Sequence, residues 1–504
     1  MKNIVKYIFV AVLACGLFWS CAKDSLETAP TTSMSGTSLM ATGNAALVPL
    51  NGIYRSMYKA GWSTGGSNTH QCFGISAYNL MAEVMGEDMI MAAMGSGWFW
   101  YDCVYNVKSR FASMGWRPYD LWNAYYTWIS NANYILAAEE TMEGTSSEVG
   151  YALGQAYAIR AYSYFMLAQS FARTYKGHES EPCAPIYTEP TSADTQGQPR
   201  STVQEVYNQI TSDINKAVEY LEGTTSKHVS HISYDVALGL KARIALTMED
   251  WAGAEAAAKA AIAATSAKVV PVADFAGVND ATAKNVMWAA KIIADQSGMY
   301  AGFFTHMDVA GSYGKSANKL INKELFAKIS DTDQRKARWD GTSMLQKKFY
   351  FLDVAQWLGD YIWMRVEEMY LIAAEAQCRQ NKEAEAISSL MAVMSKRDAS
   401  YSCEKTGTAL GATTDEWTGS LLEEILIQRR IELWGEAGRV YDIRRLKQGF
   451  VRTDAMGWPA SAQLSGRPTT DPENYMWVLT IPQAEFDGNV NMDASADQNP
   501  TGDK

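Results

Sequence analysis

Apolar residues recur every three or four positions along much of the chain, the spacing that gives an α-helix one buried face. This pattern predicts helices over 121–140, 149–173, 202–221, 232–248, 251–264, 362–379, 382–397 and 421–436. Thr202 followed three residues later by Glu205 forms a capping box, which marks the start of the third helix. The predicted helices follow one another in pairs that are joined by short turns.

Small residues stand at the predicted contact positions of two of these pairs. The spacings are Trp251–Ala254–Ala257–Ala261 and Tyr370–Ala373–Ala376–Ala384. Pairs of this kind are typical of tetratricopeptide arrays, although an irregular all-α domain fits the same periodicity. We expect an all-α fold: a degenerate tetratricopeptide-like scaffold with helix pairs near 121–173, 201–264, 362–397 and 421–436. Segments 60–120 and 265–320 lack a clean helical pattern and are predicted to be long, irregular loops, which the aromatic residues described below make candidates for ligand binding.

The N-terminus has the pattern of a lipoprotein export signal. Lys2 and Lys6 precede an apolar stretch that is too short to span a bilayer and that ends at Cys21. We expect a signal peptide over 1–20, an acylated Cys21, a tether over 21–45 and a single domain over 46–504. Cys15 is an alternative acylation site, and ordinary secretion without acylation is a further alternative.

Composition excludes several classes of function. Lys and Arg number 44 against 55 Asp and Glu, which gives a net charge of −11 and argues against a nucleic-acid partner. The five cysteines beyond Cys21 are an odd number without a C-x-x-C motif, so neither a disulfide framework nor a zinc site is indicated. No cofactor and no metal site are predicted, while the binding of Ca²⁺ stays open.

Aromatic residues are concentrated between Trp62 and Trp128, where they make up 15 of 67 positions. The densest run is Gly97-Trp98-Phe99-Trp100-Tyr101, which fits no single amphipathic face and therefore predicts a loop. A flat ring can cover the apolar face of a pyranose at low entropic cost. Trp98, Trp100 and Tyr101 are therefore candidate ligand-binding residues, and packing of the same rings in the core is the alternative.

Two further sets of residues complete the candidate site. Glu87 and Asp88, together with nearby Asp102 and Asn106, are placed in the sequence to bind sugar hydroxyls. The second irregular segment repeats the aromatic signal among glycines, with candidates Tyr300, Phe304 and Tyr313.

Catalytic signatures are weak. Ser56-x-x-Lys59, Ser316-x-Asn318 and Lys405-Thr406-Gly407 follow the order used by serine β-lactamases, but each has so few fixed residues that chance matches are expected. We predict that the protein is not an enzyme, and an exported hydrolase using Ser56 or a carboxylate pair remains the alternative.

Motifs spread over the whole chain resemble those of the SusD/RagB family of outer-membrane nutrient-binding lipoproteins. The most recognisable is Ala158-Ile-Arg160-Ala-Tyr162-Ser-Tyr164-Phe165. The others follow in family order at Cys21–Pro30, Asn131–Leu136, Arg200–Ile214, Arg365–Ala376, Arg429–Leu433, Ile481–Pro482 and Gln498–Gly502. One departure is Gln428, which stands where the family usually has glutamate.

The resemblance implies a non-enzymatic, cell-surface protein that is anchored in outer-membrane lipid through Cys21. It would capture an oligosaccharide and pass it to a SusC-like TonB-dependent transporter. The family's ligand loops correspond roughly to residues 62–120 and 295–315, where composition already places the rings. A peptide or other nutrient remains an alternative ligand, because a fold does not fix the ligand.

Overall fold

The computed structural model describes residues 39–106, 112–192, 194–298, 301–436 and 438–501. The longer helices are, in chain order, α1 Leu47–Ser56, α2 Ile75–Met85, α3 Trp116–Leu136, α4 Ser146–Phe171, α5 Val203–Leu221, α6 Tyr234–Thr247, α7 Trp251–Ala264, α8 Val366–Arg379, α9 Glu383–Met394, α10 Leu421–Glu432 and α11 Arg439–Arg445. Short helical turns cover Trp100–Cys103, Phe303–Met307, Ser312–Ser316, Lys323–Ala327, Gln483–Gly488 and Ala494–Asp497. The strands are β1 Met89–Met91, β2 Val286–Ala290, β3 Lys319–Ile321 and β4 Tyr361–Arg365.

The long helices pack as a continuous series of neighbours. Each of α3 to α6 packs on the next, α6 packs on α7, α7 on α8, and α8 on both α9 and α10. Alanines close the contacts of α7, where Ala254, Ala257, Ala258 and Ala261 are all buried. The capping box at Thr202 and Glu205 forms as predicted. The predicted all-α, tetratricopeptide-like scaffold is confirmed.

Helices α7 and α8 are neighbours in space although residues 265–365 separate them in the chain. This long insertion contributes strands to two small antiparallel sheets: β2 pairs with β4, and β3 pairs with β1 from the first half of the chain. Residues 362–365 were predicted as the start of a helix and are instead part of β4. Every residue of β4 is buried, so its apolar run reflects a strand covered on both faces.

Segment 60–120 is also more ordered than predicted. It contains α2, in which every residue except Asn79 is buried. A helix that is buried all round has no polar face and therefore shows no amphipathic period in its sequence. The sequence pattern therefore did not reveal α2.

Buried arginine–carboxylate pairs join the elements. Arg160 on α4 pairs with Asp213 on α5 at 2.7 Å, and Arg445 on α11 pairs with Glu375 on α8 at 2.6 Å. Arg397 reaches Glu432 at 2.8 Å. Removing one partner of such a pair leaves a buried charge uncompensated, at a cost of about 3–5 kcal/mol.

Near the N-terminus the described chain is already attached to the body before residue 46, because the Gly43 N–H donates to the Glu143 carbonyl at 3.0 Å. The predicted signal peptide, Cys15 and Cys21 lie outside the described residues. Within the described ranges, no helix is both long and apolar enough to cross a bilayer, and no cluster of His, Cys, Asp and Glu suits a metal ion. The cysteines described there are free thiols.

Candidate functional site

Pairing of β1 with β3 brings the two aromatic segments together. Met91 lies opposite Lys319, and the Ala92 N–H donates to the Asn318 carbonyl at 3.0 Å just beyond the strands. The two loops then approach so closely that a Cβ atom on Gly95 would lie 3.0 Å from the Cβ of Ala317. Segments more than 200 residues apart thus form one surface. Tyr300 lies outside the described residues, and its predicted role stays a prediction.

A left-handed residue separates the four consecutive rings. Phe99 has a φ of 61°, which bends the chain at the start of the turn Trp100–Cys103. Phe99 is fully buried and Trp100 is 7% exposed, whereas Trp98 is half-buried and Tyr101 is 42% exposed. The expectation that Trp100 faces a ligand is therefore corrected: its ring packs in the core.

Trp98 packs against residues of both loops. Its ring stacks on His70 with centroids 4.9 Å apart and planes 8° apart, and it meets Tyr313 in an edge-to-face arrangement with ring centroids 6.0 Å apart. The Tyr313 hydroxyl and His70 Nδ1 share a hydrogen bond of 2.7 Å. Tyr101 follows next to Gly97 on the exposed side. We call His70, Trp98, Tyr101 and Tyr313 the ring surface.

A buried histidine, His306, contacts two residues of the ring surface from the interior of the protein. His306 Nε2 lies 2.6 Å from the His70 carbonyl oxygen, and its ring stacks on Tyr313 at 5.1 Å. Burial, assisted by the nearby Lys319 cation, lowers the pKa of His306 to about 3. His306 is thus neutral at neutral pH, with Nε2 protonated to donate to the carbonyl.

An ion pair and an amide fix the base of the loop that carries Trp98. Arg117 pairs with Asp102 at 2.8 Å and donates to the Gln71 carbonyl at 3.0 Å. The Gln71 side-chain oxygen in turn accepts the Phe99 N–H at 2.7 Å. Asp102 is therefore committed to Arg117 and does not face a sugar as the sequence suggested.

The prediction that Glu87 and Asp88 bind sugar hydroxyls is also corrected. They are 1% and 2% exposed, and Arg430 contacts both, with Nη2 3.0 Å from a Glu87 oxygen and 2.6 Å from an Asp88 oxygen. Burial alone raises the pKa of Glu87, but Arg439 and Arg430 lower it to about 2. These carboxylates join the loop to α10 and α11 and are not open to a ligand.

The prediction that Phe304 binds a ligand is corrected in the same way. Its ring is 2% exposed and packs beside Tyr361 and Phe351 at centroid distances of 6.0 and 5.9 Å. Of the predicted site residues that are described, Trp98, Tyr101 and Tyr313 reach the ring surface. Sequence reasoning missed His70 and His306, because a lone histidine in an irregular segment has no periodic pattern to mark it.

The catalytic alternative gains no support from the described side chains. The Ser56 hydroxyl donates to the Ile53 carbonyl at 2.6 Å and accepts from the Trp128 indole at 2.8 Å. Lys405 is paired with Glu424 at 2.7 Å. The Ser56 hydroxyl is therefore engaged both as donor and as acceptor in structural hydrogen bonds.

Two family models match consecutive parts of the chain. A model described as starch-binding and associating with the outer membrane matches residues 77–246, and the model of the SusD family matches residues 277–501. Among curated proteins, a SusD-like protein P38 of Formosa agariphila is 27% identical over 265 residues. That match covers 52% of this chain and 46% of the relative, so the chain spans about half the length of this relative.

Solved structures cover nearly the whole chain. A SusD-like carbohydrate binding protein from Bacteroides vulgatus is 25% identical and superposes with a TM-score of 0.75 over 90% of this chain and 97% of its own. A surface glycan-binding protein A from Bacteroides fluxus is 17% identical, with a TM-score of 0.67 over 91% of this chain and 99% of its own. At 17% identity the second likeness shows the fold alone.

Proposed function

Since the chain belongs to the SusD/RagB family, we propose that it is a cell-surface lipoprotein that captures an oligosaccharide and passes it to a SusC-like TonB-dependent transporter. Carbohydrate binding and association with the outer membrane are supported at the level of the family. The ligand, the partner and the lipid anchor of this chain are parts of the proposal. So is the absence of catalysis.

The ring surface is the observation that carries the proposal. Trp98 and Tyr101 present aromatic area on a loop that Arg117 and Gln71 anchor to the body. Such rings bury the C–H face of a pyranose, while His70 and Tyr313 place nitrogen and oxygen atoms beside the indole ring for hydroxyl groups.

The binding mode follows from this geometry. The hydroxyl groups of a sugar must lose their bound water before they form hydrogen bonds with the protein. This cost offsets much of the free energy gained from the area that is buried on binding. We expect dissociation constants in the micromolar range or weaker, with stacking on Trp98 as the largest contribution.

Affinity electrophoresis in gels containing single polysaccharides tests the proposal, after a glycan array has selected the polysaccharides. The expected result is retarded migration in at least one glycan gel and normal migration of Trp98→Ala in the same gel. Binding to a peptide library with no response on the glycan array would instead identify a peptide-binding member of the family.

The anchor and the partner need separate experiments. Cys21→Ala, expressed in a native host, should release the protein from the outer membrane, whereas Cys15→Ala should not. Purification of the wild type from outer membranes should recover a TonB-dependent barrel. Membrane attachment that persists in Cys21→Ala and is lost in Cys15→Ala would assign the lipid to Cys15.

A further inference from the structure

Two aromatic side chains at the start of α3 lie outside the ring surface and are only partly covered by the protein. Tyr119 is 39% exposed, and Trp116 is half-buried. The two residues are three positions apart on the helix, a spacing that makes their side chains neighbours on the helix surface. We call Trp116 and Tyr119 the helix platform.

The buried Arg117 supports the Trp116 ring. Its guanidinium covers one face of the indole, with the central carbon 4.1 Å from the ring centroid. Because Arg117 is fully buried and paired with Asp102 at 2.8 Å, this support is fixed. A ring that is already held in place costs little conformational entropy when a ligand binds to it.

The same arginine connects the helix platform to the ring surface. Its guanidinium lies 5.3 Å from the centroid of the Phe99 ring, and Phe99 follows Trp98 in the chain. It also donates to the Gln71 carbonyl at 3.0 Å, and Gln71 follows His70. Trp98 and His70 are thus each next in the chain to a residue that contacts Arg117. The helix platform and the ring surface are therefore neighbours.

A polar loop connects the two aromatic areas. At its start, the Ser63 carbonyl accepts from Asn123, one helical turn after Tyr119, at 2.6 Å, and near its end lies His70 of the ring surface. Every polar side chain from Ser63 to Gln71 is a hydroxyl, an amide or the imidazole of His70. Such groups donate and accept hydrogen bonds without a net charge, as sugar hydroxyls do. This chemistry beside the rings favours a neutral sugar as the ligand.

We propose that the helix platform is a second contact for the same oligosaccharide, so that the protein selects neutral chains of several sugar units over shorter ones. The inference rests on the proposed function, because it requires one sugar ring on Trp98. A chain that leaves Trp98 across the polar loop places a later unit against Trp116 or Tyr119.

Isothermal titration calorimetry tests the proposal, with oligosaccharides of increasing length prepared from the polysaccharide that the glycan array selects. The affinity of the wild type should increase from the shortest chain that binds to the longer ones. Trp116→Ala and Tyr119→Ala should each weaken binding of the longest chain about 3- to 10-fold, the effect of one aromatic contact, and leave the shortest chain unaffected. Trp98→Ala should weaken binding at every length.

The matched control is Tyr134→Ala, an exposed tyrosine near the other end of α3, which should bind every length like the wild type. Urea unfolding establishes that each variant is folded. Tyr119→Ala changes an exposed side chain and carries the test if Trp116→Ala, which loses its contact with Arg117, does not fold.

Equal affinity of the wild type for all lengths would overturn the proposal, as would wild-type binding of the longest chain by folded Tyr119→Ala and Trp116→Ala. If these variants keep glycan binding but no longer recover the TonB-dependent barrel from outer membranes, the helix platform binds the transporter and the proposal is wrong. Loss of the proposed function looks different, because the wild type would then bind no oligosaccharide of any length, and the inference would fall with it.

Discussion

Replacing Trp98 by alanine should remove most of the affinity for glycan. His70 covers one face of the indole, and Tyr313 packs against the indole in an edge-to-face arrangement, so a ligand can stack only on the indole face opposite His70. Contact between that face and a pyranose buries about 80 Å² of apolar area, worth about 2 kcal/mol at about 25 cal/mol per Å². A loss of about 2 kcal/mol weakens binding about 30-fold.

The same change has a structural cost that must be measured separately. Losing the two ring contacts lowers the free energy of unfolding by about 1–3 kcal/mol. Urea unfolding therefore accompanies each binding measurement, which is best made by isothermal titration calorimetry with the oligosaccharide selected on the array. Tyr101→Ala should weaken binding with almost no loss of stability, because this ring is 42% exposed.

Tyr134→Ala is the matched control. Tyr134 is 44% exposed and lies on the same helix as Arg117, about 25 Å along the helix axis from it. Its binding constant should equal that of the wild type. If Trp98→Ala and Tyr101→Ala both fold and bind a confirmed glycan as tightly as Tyr134→Ala, the assignment of the ligand to the ring surface is wrong.

Three further predictions concern the support of the ring surface. Trp100→Ala should lower the free energy of unfolding by about 3–5 kcal/mol in urea titrations, because the lost ring is 7% exposed and leaves a cavity. Asp102→Ala should lower the free energy of unfolding by about 3–5 kcal/mol and also weaken glycan binding, because it leaves the Arg117 charge buried and uncompensated. Wild-type stability and wild-type affinity in this variant would contradict a supporting role of Asp102. Below pH 6.5 the unfolded chain protonates His306 while the folded chain, with a pKa of about 3, does not, so stability should fall with decreasing pH by up to about 1.4 kcal/mol per unit. In His306→Gln this part of the slope should be missing, and an identical pH profile would show that His306 is not buried as a neutral side chain.

The scaffold could be predicted where helices bury one face and expose the other. Helix α7 begins and ends where the apolar spacing placed it, and α5 starts at its capping box. Helix α2 and strand β4 were not predicted because both are buried on all sides. Such burial removes the alternation of apolar and polar residues whose period distinguishes a helix from a strand.

For the candidate site, the sequence could predict which segments are rich in aromatic residues but not which of those residues are exposed. The run 98–101 indicates a loop rich in rings, but which ring faces outward depends on the left-handed backbone of Phe99. That conformation is held by the distant Gln71, a contact that no local pattern reveals. Glu87 and Asp88 were misassigned for a similar reason: their partner Arg430 lies more than 300 residues away.

The meeting of the two aromatic segments depends on pairing between β1 and β3, each only three residues long. Strands of this length carry too few residues for an alternating pattern to be read. The sequence could therefore indicate two aromatic loops, while the contact between Trp98 and Tyr313 emerges only from the fold.

A crystal structure of the protein in complex with the oligosaccharide selected on the glycan array is the most direct test of the central claim. We predict a sugar ring against Trp98, with hydroxyl groups within hydrogen-bond distance of His70 or Tyr313. A sugar bound elsewhere on the protein, with the ring surface bare in the same crystal, would contradict the account.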